Sequence, residues 1–337
     1  TMALVFPELS AKLGILESLD VIGYNYKEQL YKEDHKEFPD KPFLGSENSH
    51  SYEAWRAVVD KPYISGQFLW TGIDYLGEAH GWPIHGSAAG LLDLAGFEKS
   101  QFLRRKALWT GEPVLELATR TEEERTDCNA EWIPCNRRWN YETGQKVIVM
   151  CYSNLSEVGL LLNGQEVGRA KEYNADGAFQ FVIPFEKGIL EAEGYDRKMQ
   201  KVRTAALSTV GNAVNLQARL WKEKDALGGQ SFEEVSRCPG YLYQMEVRLL
   251  DNKNRLAVAD DRLVRLQVEG AGTLAGIENG DLRDTTSYSS SERGTRNGRL
   301  MAYIRRTTPG RITVKISAAG LADKEYKVES EEDENLN

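Results

Sequence analysis

KPFLGSENSHS, residues 41–51, is the stretch on which the fold turns. Asp40 and Pro42 mark a turn, and Phe43, Leu44 and Gly45 read as a short buried strand. Glu47 stands where that strand ends. Loops between strands and helices gather at the C-terminal ends of parallel strands, so a carboxylate there is well placed for chemistry. Glu47 equally suits a cap on the following helix, with Ser49 or Ser51, and this stretch alone does not choose.

Moving outward, PELSAKLGILESL (7–19) begins with Pro and sets Leu9, Leu13 and Leu16 on one helical face. Residues 20–26, DVIGYNY, read as a strand ending in polar aromatics, and 27–38 as partly helical. On the other side, Tyr52, Trp55, Val58 and Val59 form a second helical stripe that Pro62 ends. Residues 63–70, YISGQFLW, predict a third strand. A Gly-rich loop over 71–90 follows, then GLLDLAGF (90–97) and a last helix over 99–109. Strands alternating with helices imply a parallel sheet. Three strands fall well short of a complete eight-stranded βα barrel, which needs roughly 250 residues. The segment therefore reads as the last three strands of such a barrel. A doubly wound sheet is the rival, but no Gly-rich phosphate loop opens a helix after a strand.

After Glu112-Pro113 helical periodicity ceases. Residues 146–152, 157–162, 165–169, 179–184 and 188–195 alternate as short strands, and Asn163-Gly164 is a hairpin turn signal. These predict a β-sandwich. A small polar linker at 206–213 leads to a second all-β unit with strands over 243–250, 262–268, 300–306 and 311–318. The chain ends in SEEDENLN, an acidic tail expected to be disordered.

The length of 337 residues suits two or three domains. A net charge of −9 argues against a nucleic-acid surface, and no apolar run is long enough to span a membrane. Four scattered cysteines do not make a disulfide scaffold, although Cys128 and Cys135 could pair in an oxidising compartment. Without clustered histidines they are a poor metal site. The first residues lack the basic region of a signal peptide and begin abruptly, as if upstream sequence were missing.

DVIGYNY, KPFLGSENSHS, QFLWTGIDYLGE and GLLDLAGFEKS together resemble the last barrel strands of glycoside hydrolase family 2, the β-galactosidase family. Residues 138–168 resemble the sandwich after the barrel, and 270–321, with GTLAGIENGD and PGRITVKISAAGL, an immunoglobulin-like domain further downstream. The resemblance covers nearly the whole chain in the family's order. It implies a multidomain fold: the C-terminal part of a (β/α)8 TIM barrel over 1–113 (strands six to eight), immunoglobulin-like β-sandwiches over 114–206 and 207–326, and the acidic tail over 327–337. It also implies a retaining glycosidase, in which two carboxyl groups about 5 Å apart flank the glycosidic bond.

Glu47 falls on the family's nucleophile position. The general acid/base follows an Asn in the family, and no Asn-Glu dipeptide occurs in this sequence. The chain therefore reads as the C-terminal portion of a longer enzyme, inactive alone. Tyr26 resembles the tyrosine that hydrogen-bonds the nucleophile, with Tyr24 the alternative and a core aromatic the competing reading of either. Trp70 resembles the tryptophan that floors the sugar site, often followed by a cis peptide; a buried core Trp is its plainer reading. Asn48 and Asp74 are candidate sugar contacts, with capping and turn roles the plainer alternatives. Glu78, His50, His80, His85 and Trp82 are loop residues within reach of such a site by sequence.

The substrate implied is a terminal β-galactoside, with β-mannosides and other β-glycosides open. The Asn-x-Lys stretch by which glucuronidases of the family grip a uronic acid has no counterpart in GSAAGLLDLAGFEKS. No cofactor is implied, beyond a Mg²⁺ or Na⁺ ion in the complete enzyme. Implied partners are a glycoside or oligosaccharide, with neither nucleic acid nor membrane, and a homo-oligomer is left open. The compartment is left between periplasmic or extracellular and cytoplasmic. The rival from another class is a non-catalytic glycan-binding or structural module, whose stacking faces would be Trp132, Trp139, Trp221, Tyr241 and Tyr243.

Overall fold

The computed structural model describes residues 1–59, 61–79, 81–124, 135–221, 236 and 238–328. His80, Cys128 with its suggested pairing to Cys135, Trp132 and residues 329–337 of the tail lie outside the described residues. The chain folds as two compact units. One comprises Thr1–Gly81, His85–Asp93 and Glu98–Ser208; the other comprises Trp82–Ile84, Leu94–Phe97 and Thr209–Asn337.

The first unit opens with a parallel sheet in the order β1 (Ala3–Leu4), β2 (Ile22–Asn25), β3 (Phe43–Asn48), β4 (Ile64–Leu69). The connecting helices are α1 (Pro7–Lys12), α2 (Tyr31–Glu37) and α3 (Tyr52–Val58). All three predicted strands are present. The fourth, β1, is only two residues long and too short to carry a pattern. The single helix predicted over 7–19 is interrupted, because Gly14 takes a φ of +69° just after Leu13, the cap of α1. A left-handed glycine there is a common helix stop. Only a one-turn 3₁₀ helix, Leu16–Ser18, follows. Leu16 is buried while Leu9 and Leu13 stay exposed, so the predicted stripe does not act as one face.

Ile22, Tyr24, Tyr31 and Phe43 form the core on one face of this sheet. Ser51 Oγ accepts from the amide of Ala54 at 3.0 Å and caps α3, so Glu47 is not needed for that task. Beyond β4 the chain forms a small hairpin from β5 (Tyr75–Leu76) and β6 (Gly86–Ser87), and then α4 (Ser100–Trp109).

Seven strands complete this unit among its described residues: β7 (Leu115–Arg120), β8 (Lys146–Ser153), β9 (Glu157–Leu162), β10 (Gln165–Ala170), β11 (Phe179–Pro184), β12 (Ile189–Tyr195) and β13 (Lys201–Ser208). They form two antiparallel sheets, β11-β8-β7 and β10-β9-β12-β13. Leu117, Val149, Leu160 and Leu190 pack between them, which makes this a sandwich. Asn163 and Gly164 both adopt positive φ (53° and 81°), the backbone that a two-residue hairpin between β9 and β10 requires. Leu103 and Ala107 of α4 share a second cluster with Ile148, Met150 and Tyr152 of β8, so this helix is part of the sandwich's packing.

The second unit holds β14 (Asn215–Trp221), β15 (Leu242–Leu250), β16 (Leu263–Gly270), β17 (Gly272–Glu278), β18 (Glu292–Gly294), β19 (Arg299–Arg306), β20 (Ile312–Ala318) and β21 (Lys324–Val328). Its sheets, β14-β15-β19-β17 and β18-β16-β20-β21, enclose Val247, Leu266, Ile304 and Val314.

The aromatic residues considered as glycan platforms are mostly used internally. Trp139 and Tyr243 are buried. Tyr241 packs edge-on against Tyr243 at 4.9 Å. Trp221 is half-buried, donates to Glu246 Oε2 at 3.0 Å and meets Phe97 edge-on.

Candidate active site

The site is built around a bulge in β3. Tyr24 of β2 pairs with Gly45, but the next residue, Asn25, pairs with Glu47. Ser46 is the extra residue. Side chains alternate along a strand, so without the bulge Glu47 would share the face of Phe43 and Gly45, against the core. The bulge resets the alternation and gives that face to Asn48. Gly45 makes this packing practicable: a Cβ there would lie 1.9 Å from Asn48 Oδ1 and 3.0 Å from the Tyr31 hydroxyl. Glu47 is thereby turned to the opposite face at the strand's C-terminal end, where it is half-buried.

Tyr26 and Trp70 flank it through the backbone. The Tyr26 amide donates to the Glu47 carbonyl at 2.9 Å, and the Trp70 amide to the Asn48 carbonyl at 3.0 Å. Tyr26 has a φ of +53°, a conformation uncommon outside glycine, and its side chain is 38% exposed. Tyr24, the alternative, is in the core: it stacks on Tyr31 at 5.9 Å and its hydroxyl donates to Asp34 Oδ2 at 2.5 Å. Burial holds its hydroxyl well above the ordinary tyrosine pKa. Trp70 is 40% exposed, and its Nε1 donates to the Tyr75 hydroxyl at 3.1 Å. The Tyr75 hydroxyl donates in turn to Glu78 Oε2. The peptide from Trp70 to Thr71 is cis.

Two of the five expected site residues are placed differently from expectation. Asn48 is 0% exposed, and its Nδ2 donates to Glu28 Oε1 at 2.5 Å on the core side of β3. Asp74 is 4% exposed. Its Oδ1 accepts from Lys99 Nζ at 2.7 Å and from the Gly90 amide at 2.8 Å, tying the loop after β4 together. Both side chains therefore serve the scaffold rather than an open face. The partners of Asp74 lie far along the chain, so no local pattern announces them.

His50 is also buried, with Nε2 3.0 Å from the Thr71 carbonyl oxygen. Burial, helped by the charge of Arg105, pushes its pKa down to about 4. A histidine held neutral in the fold but chargeable in the unfolded chain destabilises the fold as acid is added. Its contribution is complete above the ordinary histidine pKa and is lost as pH falls from about 6.5 towards 4. The loss is expected to reach roughly 3 kcal/mol. Urea unfolding at neutral and mildly acidic pH checks this, and His50→Gln should flatten the difference.

Two adjacent arginines escaped the sequence reading. Arg105 donates through Nη2 to the Ser49 carbonyl and through Nη1 to Gln67 Oε1, each at 3.1 Å. Arg104 donates through Nη2 to the His50 carbonyl. Their only signal was a basic pair within a helix that otherwise reads as amphipathic. Among the described residues no group of three or more His, Cys, Asp or Glu side chains is gathered as a metal ion needs, and no helix is long and apolar enough to cross a membrane.

Comparison with known proteins bears on what such a site belongs to. Residues 238–327 match the family profile described as glycoside hydrolase family 2 C-terminal domain 5, and residues 144–203 match a domain of unknown function, DUF4982. The chain is 26% identical to the β-galactosidase BoGH2A of Bacteroides ovatus over 93% of its own length and 39% of that protein's. It is 29% identical to a putative β-glucuronidase of Formosa agariphila over 80% of its length and 24% of that protein's. A crystal structure of a glycosyl hydrolase family 2 member from Bacteroides cellulosilyticus superposes with a TM-score of 0.82 at 28% identity, over 94% of this chain and 42% of that one. The chain thus spans about two fifths or less of these three relatives. The family 2 C-terminal profile, curated relatives named as a β-galactosidase and a β-glucuronidase, and a structural match along nearly the whole chain agree: this chain is similar to the C-terminal portion of glycoside hydrolase family 2 members.

Proposed function

We propose that this chain supplies the nucleophile side of a retaining β-glycosidase, most simply a β-galactosidase, with Glu47 as the nucleophile. The observation that carries the reading is the bulge that turns Glu47 off the core face at the C-terminal end of a parallel strand, between Tyr26 and Trp70 on the neighbouring chain segments. The parallel sheet is then the closing part of a (β/α)8 barrel whose remaining strands lie outside this sequence, and the two sandwiches are immunoglobulin-like.

In this reading a Glu47 carboxylate oxygen forms a bond to the anomeric carbon. The bond to the leaving oxygen breaks, and that oxygen keeps the electron pair and receives a proton from a second carboxylic acid. The same group, now a base, takes a proton from water, whose oxygen displaces Glu47 and restores it. The second carboxyl group comes from sequence N-terminal to this chain. Trp70, partly exposed beside Glu47, offers an apolar platform to a sugar ring, and Tyr26 lies beside the nucleophile. Asn48 and Asp74 act as positioning residues beneath the site. The left-handed backbone of Tyr26 is of the kind that clusters at functional sites.

A galactoside is favoured because the relative matched over 93% of this chain, against 80% for the putative β-glucuronidase, is named a β-galactosidase, and because GSAAGLLDLAGFEKS lacks the asparagine associated with uronic acid recognition. Hydrolysis of nitrophenyl β-galactoside, β-glucuronide and β-mannoside by an enzyme carrying the upstream sequence tests this. Turnover is expected on the galactoside and none from this chain alone. Preference for the glucuronide would transfer the reading to the activity named for the Formosa agariphila relative. The rival of a non-catalytic glycan-binding module is weakened by the burial of Trp139 and Tyr243.

A further inference from the structure

Arg104 and Arg105 stand in the second turn of α4, directly beneath the segment that follows Glu47. Both are nearly fully buried, 5% and 4% exposed. Their terminal nitrogens donate to carbonyl and amide oxygens rather than to carboxylates, and neither Nε makes a hydrogen bond. Burial lowers the pKa of both guanidinium groups, that of Arg105 to about 9, with Arg104 adding to the effect. Two buried cations side by side are an expensive way to fill a core, and apolar residues of the same volume would stabilise it better. What the cations provide is directed hydrogen bonding from a planar fork.

The acceptors are specific. Arg105 spans the Ser49 carbonyl on the β3 side and Gln67 Oε1 on β4, at 3.1 Å each. Arg104 spans the His50 carbonyl and, at 3.5 Å, the Asp176 carbonyl in the loop between β10 and β11. That loop also reaches the N-terminus of α3: the Tyr52 ring lies so close to Gly177 that a Cβ there would stand 2.3 Å from it. Tyr173 packs edge-on against Tyr52 at 6.2 Å. Ser49 and His50 are thus held from below by α4 and from the side by the first sandwich.

We infer that Arg104 and Arg105 are positioning residues that fix the strand end carrying Glu47, and that Arg104 makes the first sandwich part of this positioning through the Asp176 carbonyl. The inference rests on the reading of Glu47 as nucleophile. It assigns to a loop of a non-catalytic sandwich, and to two buried cations that touch no substrate, an effect on the glycosylation step. A shift of an ångström in the attacking carboxylate costs on the order of 100-fold in rate. Substrate binding, which depends on other groups, changes little.

The test uses the enzyme with its upstream sequence and a dinitrophenyl β-galactoside that carries fluorine beside the anomeric carbon. This compound glycosylates the nucleophile and leaves it slowly, so the labelling rate reports nucleophile placement. Arg104→Met and Arg105→Met are expected to label about 10- to 100-fold more slowly, with the concentration for half-maximal rate little changed. Arg104→Lys retains the charge but cannot span two carbonyls, and should also label at least about 10-fold more slowly with an unchanged unfolding midpoint. If the methionine variants do not fold, Arg104→Lys decides. Labelling at the parent rate in a folded variant would overturn the inference while leaving Glu47 in place. A failure of the underlying reading looks different: Glu47→Gln would still be labelled, at another carboxylate, and the inference would fall with it.

Discussion

Replacing Glu47 with glutamine, in an enzyme that includes the upstream sequence, is expected to reduce β-galactoside turnover on the order of 10⁴-fold or more. Removing a covalent nucleophile takes away a bond made only on the reaction path, so the loss appears in kcat rather than in KM. The amide has nearly the shape of the carboxylate. Glu47 is half-buried and Ser51 alone caps α3, so the unfolding midpoint should stay close to that of the parent. This separates the catalytic reading from the structural one. A residue serving only to hold the strand end would lose stability on substitution and keep its turnover per folded molecule. Steady-state kinetics beside thermal unfolding reads both quantities from one preparation.

The second large effect concerns Trp139 and the rival reading of the sandwiches as glycan-binding surfaces. Trp139 is completely buried between the sheets of the first unit. Its Nε1 donates to the Glu186 carbonyl at 3.0 Å, and its ring meets Phe185 edge-on at 5.0 Å. Truncation to alanine removes both contacts and leaves a cavity the size of an indole. The expected cost is roughly 3–5 kcal/mol, read as a lower urea midpoint for this chain. A Trp139→Ala protein as stable as the parent but weaker in glycan binding would reverse the assignment and revive the glycan-binding module.

Most of the strand and helix order could be read from the sequence because it rests on local signals. The unbroken apolar, β-branched run in KVIVMCYS gives β8, and Asn163-Gly164 gives the β9–β10 hairpin. The apolar run before Glu47 gives β3. The failures have a common physical cause. The helix predicted over 7–19 stops early because Gly14 adopts a left-handed conformation, which its neighbours Leu13 and Ile15 do not reveal. The two-residue β1 is defined only by its pairing with Gly23 and Tyr24.

At the proposed site, the strand-end positions of Glu47, Tyr26 and Trp70 were legible as those of a polar residue and two aromatics. Asn48 and Asp74 were not, because their roles are set by distant partners: Glu28 for the first, Lys99 and Gly90 for the second. The arginines of α4 act on carbonyls 54 and 56 residues earlier in the chain, and only the folded structure brings those together. The bulge at Ser46 lies between these cases. It decides which way Glu47 faces, yet nothing in FLGSEN states which residue is the extra one.

The most direct measurement is to label the enzyme carrying this chain with the fluorinated β-galactoside, digest it and locate the sugar by mass spectrometry. The account predicts one glycosylated peptide, spanning KPFLGSENSHS, with the sugar on Glu47. A sugar on any other carboxylate, or hydrolysis of β-galactosides with no covalent adduct formed, would contradict it.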